Sequence, residues 1–96
     1  MANLLEKQIE RSVCDYAKSI GFLVYKFTSP ERAAVPDRMF ITPKGKVFFC
    51  EFKREGAKVT PAQAREHERL RAQGVTVFVV DSVEKGRTAV DFQSVL

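Results

Sequence analysis

Val35-Pro36-Asp37-Arg38-Met39-Phe40-Ile41-Thr42-Pro43-Lys44-Gly45-Lys46-Val47-Phe48-Phe49-Cys50-Glu51-Phe52-Lys53 is the stretch on which the fold turns. Arg38 to Thr42 has strand character, Pro43-Lys44-Gly45 makes a turn, and Lys46 to Lys53 is a second strand. Together they predict an antiparallel hairpin. Strand residues alternate faces, so Glu51 and Lys53 point the same way, roughly 6.5–7 Å apart. Phe48, Cys50 and Phe52 point the other way. Asp37 enters the neighbouring strand, so hairpin pairing can bring its carboxylate beside Glu51.

Upstream, Leu5, Ile9, Val13, Ala17 and Ile20 recur at helical spacing with Lys7, Arg11, Asp15 and Lys18 on the other face. An amphipathic helix from about residue 3 to 20 is expected, stopping at Gly21. Phe22 to Phe27 reads as a strand, and Thr28 to Pro36 as a loop. Downstream, Thr60 can cap a helix, Pro61 suits its first position, and Gln63 stands third, as in a capping box. That helix should close at Gly74. The apolar, β-branched run Val75 to Val80 predicts a strand covered on both faces, and Ala89 to Leu96 a short final helix. The order α-β-β-β-α-β, with a right-handed crossover setting the last two strands parallel, predicts an α/β fold with a mixed four-stranded sheet flanked by helices.

A chain of 96 residues is expected to form a single domain spanning 1–96. Its 45% hydrophobic and 29% charged residues indicate a globular, not a disordered, chain. No apolar run reaches the roughly 18–20 residues that span a bilayer, so an intracellular location without membrane partners is expected. Cys14 and Cys50 lack metal-ligand spacing and read as buried free thiols. A net charge of +4 and a pI near 9.3 lean toward a polyanionic partner.

Two carboxylates held together at the edge of an apolar sheet repel each other unless a cation intervenes. Oxygen donors without nearby His or Cys favour Mg²⁺ or Mn²⁺ over zinc. Such an ion polarises a phosphodiester, and the Lys53 ammonium beside it could neutralise charge developing in the transition state.

Pro36-Asp37 followed by Glu51-Phe52-Lys53 resembles the PD-(D/E)xK nuclease signature. Val35-Pro36-Asp37-Arg38, Val47 to Arg54, Thr60-Pro61-Ala62-Gln63 and Leu70 to Val77 narrow the resemblance to the virus-type replication-repair nuclease domain, VRR-NUC, in its stand-alone viral or bacterial form. It covers about residues 6 to 83. It departs at Ala33-Ala34, where relatives often carry glycine. The resemblance implies a restriction-endonuclease-like αβββαβ core. It makes Asp37 and Glu51 direct metal ligands, with the Phe52 backbone carbonyl also facing the ion. Lys53 would assist the attacking water, Gln63 would position the site, and Glu10 would reach the metal through water. It further implies a Mg²⁺- or Mn²⁺-dependent endodeoxyribonuclease acting on branched DNA such as four-way junctions and leaving a 5′-phosphate. A homodimer in the cytoplasm of a bacterium or phage-infected cell is implied too, with a helicase or replication partner left open.

Rival readings stand beside these. Asp37 could cap a turn, and the capping box alone accounts for Gln63. Glu10 competes with Glu6 for the outer acidic role. Arg32, Arg38, Arg54 and Lys58 could contact DNA phosphates, as could Lys44, Lys46 and Arg65, or all could be solvated charges. His67, between Glu66 and Glu68, reads as a surface residue. Phe92 and Leu96 read as core or dimer contacts. A branched-DNA-binding module without cleavage, and an RNA-directed nuclease on the same scaffold, are the alternative functions.

Overall fold

The computed structural model describes residues 4–96. Helix α1 (Glu6–Ser19) leads into β1 (Leu23–Lys26), β2 (Arg38–Ile41) and β3 (Val47–Phe52), followed by α2 (Pro61–Ala72), β4 (Val77–Val80) and α3 (Val83–Ser94). The expected helix start near residue 3 falls outside the described residues. The strands lie in the order β1-β2-β3-β4. The first two pairings are antiparallel and β3 runs parallel to β4, with Phe40 opposite Phe48 and Phe52 opposite Val80. The α/β architecture with a mixed four-stranded sheet is therefore present.

Alternation along β3 divides the sheet into two chemically different faces. Phe48, Cys50 and Phe52 are fully buried against Ile9, Val13, Cys14 and Ala17 of α1, forming the apolar core with Phe40, Val80 and Val90. Phe48 is its centre: its ring stacks on Phe40 at 5.0 Å and meets Phe22 and Phe78 edge-on at 6.2 and 5.7 Å. Such offset and edge arrangements suit the aromatic quadrupole and add to the area buried. Phe49 and Glu51 occupy the other face, which α2 and the loop after β1 cover. Both cysteines are buried and free, and burial pushes the Cys14 thiol up to about 11.

Chain chemistry sets the element ends. Thr60 Oγ1 accepts from the Gln63 N–H at 3.1 Å while Gln63 Oε1 accepts from the Thr60 N–H at 3.0 Å, completing the expected capping box. Gly21 and Gly74 close α1 and α2 at φ of 96° and 86°, a left-handed conformation that glycine adopts without penalty.

Two expectations are corrected. Helix α3 begins at Val83, six residues before Ala89, because Ser82 caps it by accepting from the Lys85 N–H at 3.1 Å. The helical signal is weak there because Gly86 is a contact residue: a Cβ at that position would meet Val13 Cγ2 at 2.3 Å. Tyr16 and Asp91 join the same two helices by a hydrogen bond, and the Arg87 guanidinium lies 4.0 Å over the Tyr16 ring. Strand β4, in turn, is not covered on both faces. It lies at the sheet edge and leaves Val79 39% exposed. Phe92 and Leu96 are exposed as well and stand outside the core.

Gly86→Ala should destabilise the fold by about 1–3 kcal/mol through overpacking, outweighing alanine's helix preference of about 1 kcal/mol. A melting temperature unchanged or raised would show that α1 can move away. Ala34 sits at φ 65° in the loop before Pro36-Asp37, a conformation that costs a side-chain-bearing residue roughly 1–2 kcal/mol. Ala34→Gly should therefore raise stability by up to about 1 kcal/mol after the added chain entropy, read by chemical denaturation.

Candidate active site

The hairpin register carries Asp37 to the tip of β2, on the face that Glu51 shares. The Phe52 N–H donates to Asp37 Oδ2 at 2.7 Å, fixing that carboxylate across the end of β3. The amide and carbonyl of one strand residue leave on the same edge. The Phe52 carbonyl is therefore directed to the Asp37 side as well, while the Lys53 N–H goes the other way, to Val80 O at 2.9 Å. Asp37 and Glu51 face each other closely enough for one carboxyl to donate to the other when protonated.

Glu51 is only 3% exposed. Its Oε2 accepts from Gln63 Nε2 at 3.1 Å and lies 3.8 Å from Lys53 Nζ. Its Oε1 is buried without any hydrogen-bond donor. Burial, then the Asp37 charge, pushes the Glu51 carboxyl up to about 8, against the lowering pull of Lys53. Buried polar atoms are nearly always satisfied. An orphaned carboxylate oxygen beside a second carboxylate is the environment that a cation relieves.

Among the described residues, no three His, Cys, Asp or Glu side chains gather as a metal-holding group. Two carboxylates and a backbone carbonyl are the oxygen donors at hand; His67 Nε2 lies 3.8 Å from Glu51 Oε1 but does not complete a metal-holding group with them. That set suits a hard divalent ion, which uses one or two carboxylates and keeps several waters, better than zinc, which takes nitrogen and sulfur ligands.

No family model matches the sequence. Over 82 residues the chain is 46% identical to the "Putative nuclease p44" of Acyrthosiphon pisum secondary endosymbiont phage 1, covering 85% of this chain and 88% of that protein. A solved structure described as a VRR_NUC domain matches with a TM-score of 0.83 at 34% identity, over 90% of this chain and 94% of the other. The chain belongs to the VRR-NUC nuclease family. A further structure, a VRR_NUC domain protein at 19% identity, shares the fold with a TM-score of 0.78 over 94% of this chain and 88% of its own.

Within this VRR-NUC domain, Gln63 serves the helix cap and Glu51 at once. Its Oε1 completes the cap while its Nε2 holds Glu51. Glu10 is engaged by Arg38: its Oε2 accepts from Arg38 Nε at 2.6 Å. Arg38 alternates with Asp37 and so faces α1, where Glu10 stands. Glu6, Glu10 and Asp37 line one concavity at the sheet's end, and of the two glutamates it is Glu6 whose charge raises Glu51. Arg32 is likewise engaged inside the protein, with Glu66 at 3.2 Å. Arg54 and Lys58 are exposed.

His67 is the residue that the sequence misplaces. It is 1% exposed, with Nε2 buried, unpartnered and 3.8 Å from Glu51 Oε1, beyond hydrogen-bonding range. Burial lowers its pKa, favouring the neutral ring. Glu66 and Glu68 on either side suggest solvent, but His67 stands four residues after Gln63 and hence on the same helix face. That spacing was the available signal.

Without metal, the folded protein holds the Glu51 proton up to about pH 8, whereas the unfolded chain releases it near 4.5. The folded state binds more protons between those values, so stability should fall as pH rises through that window. Melting curves in chelator from about pH 5 to 9 should show this slope in the wild type and lose it in Glu51→Gln. The same slope in both proteins would remove Glu51 as its source.

Proposed function

We propose that this domain is a structure-selective DNA endonuclease that hydrolyses phosphodiester bonds with a divalent metal, Mg²⁺ or Mn²⁺, on branched DNA such as four-way junctions. The observation that carries the reading is the Asp37–Glu51 pair, one of whose oxygens is buried with no donor while an amide and an ammonium face the other side of Glu51. Asp37, Glu51 and the Phe52 carbonyl would hold the ion, which when bound supplies Lewis acidity toward the phosphoryl group.

The remaining work falls to the chain itself. Gln63 keeps the Glu51 carboxylate in one rotamer. Lys53, its side chain 14% exposed, presents an ammonium where it can hold the attacking water and offset negative charge gathering on the phosphoryl oxygens. In-line attack forms the new P–O bond as the P–O3′ bond breaks. The water's proton ends on the leaving 3′ oxygen, and the 5′-phosphate stays on the other fragment. Glu10 or Glu6 would contribute through water from the α1 side. Arg54 and Lys58, exposed and outside any ion pair among the described residues, remain candidates for phosphate contact. A homodimer fits cleavage of two junction strands, and exposed Phe92, Val95 and Leu96 give a second copy apolar surface to cover.

The test pairs cleavage with metal binding. Glu51→Gln and Asp37→Asn should abolish cutting of junction, flap and linear DNA, and Lys53→Ala should slow it by about 10²–10³-fold. Asparagine is the informative change at Asp37, because alanine would also orphan the Phe52 N–H at about 1–3 kcal/mol. Millimolar Mg²⁺ or Mn²⁺ should raise the melting temperature of the wild type and not of Glu51→Gln. Binding of every substrate without cutting would favour a DNA-holding module, and cutting of matched RNA alone would favour an RNA nuclease.

A further inference from the structure

The α1-facing side of the sheet carries a second cluster of charges, separate from the acidic pair. Lys7, Glu10, Arg11, Lys26 and Arg38 line one groove, four cations against a single carboxylate. That carboxylate is already taken by Arg38. Among the described residues, no acidic group lies within 4.0 Å of Lys7, Arg11 or Lys26.

The cations are also placed where they repel one another. Lys7 and Arg11 stand four apart on α1, where like charges destabilise a helix. Lys26 and Arg38 are directly opposite in the β1–β2 pairing, where like charges destabilise a sheet. Two self-repelling pairs in one concavity reduce stability unless something anionic lies between them. The groove continues around the end of the sheet, where Lys7, Lys26 and Thr28 share a surface with Asp37 and with Glu6 and Glu10, the latter already bonded to Arg38. A polyanion lying along Arg11, Lys7 and Lys26 would therefore arrive at the acidic pair.

We infer that Lys7, Arg11 and Lys26 form the track for the DNA sugar-phosphate backbone on one side of the scissile bond. This rests on the nuclease reading for its meaning, but not for its measurement. Arg38, bonded to Glu10, props the groove and does not itself need to touch phosphate.

The experiment is fluorescence anisotropy on duplex and four-way-junction DNA with chelator replacing metal, so that binding is read without cleavage. The triple variant Lys7→Ala/Arg11→Ala/Lys26→Ala should bind about tenfold or more weakly at about 0.1 M salt. It should also flatten the dependence of log affinity on log salt by roughly 0.9 for each phosphate no longer neutralised. A control triple, Lys18→Ala/Arg69→Ala/Lys85→Ala, removes the same charge from exposed positions at the far end of α1, on α2 and on α3, and should bind nearly as the wild type does. The groove triple should melt no lower than the wild type, because repulsion has been removed. Wild-type affinity in the groove triple, or equal weakening in both triples, would overturn the inference. Wild-type protein that binds through these residues yet never cuts with metal would leave the track standing and remove the nuclease reading instead.

Discussion

A carboxylate buried on a β-sheet, with one oxygen lacking any donor and another carboxylate at its side, is the constraint around which this domain is arranged. Glu51 cannot carry its charge comfortably there. The protein therefore surrounds it with partial remedies: the Gln63 amide, the Lys53 ammonium at 3.8 Å, and a proton held up to about pH 8. Neither the amide nor the ammonium donates to the orphaned oxygen. The site is incomplete by construction, and its electrostatics favour whatever cation completes it.

That arrangement needs a rigid platform, and the opposite face of the same strand supplies one. Phe48, Cys50 and Phe52 lock β3 against α1, so its alternate residues have no freedom to turn away. Pairing of β2 with β3 then sets where Asp37 falls, and the Phe52 N–H holds its carboxylate in place. A one-residue slip would exchange the two faces, sending Glu51 into the core and the phenylalanines to the acidic side. Register and chemistry are one requirement.

The same alternation distributes the charges around the sheet's end. Asp37 and Glu51 belong to the α2 face, Arg38 and Lys26 to the α1 face. Glu10 on α1 consequently meets Arg38 first. Acidic and basic surfaces are joined only where the strands run out, which is where a phosphate chain could touch both.

From the amino-acid order alone, the hairpin, the capping box at Thr60–Gln63, the succession of helices and strands as far as β4 and the grouping of Asp37, Glu51 and Lys53 could be read, because each follows from short-range periodicity or turn chemistry. Residues whose role depends on a distant element could not. Gly86 weakens the local helical signal, and only the approach of Val13 explains it. His67 sits between two glutamates, and only the docking of α2 over Glu51 buries it. Arg32 and Arg38 read as free cations until folding brings them to Glu66 and Glu10. Apolar β4 reads as covered on both faces until packing at the sheet edge leaves Val79 exposed. Local pattern encodes which face each residue prefers; which charges neutralise each other is decided by distances between segments far apart in the chain, and those exist only once the sheet and helices have packed.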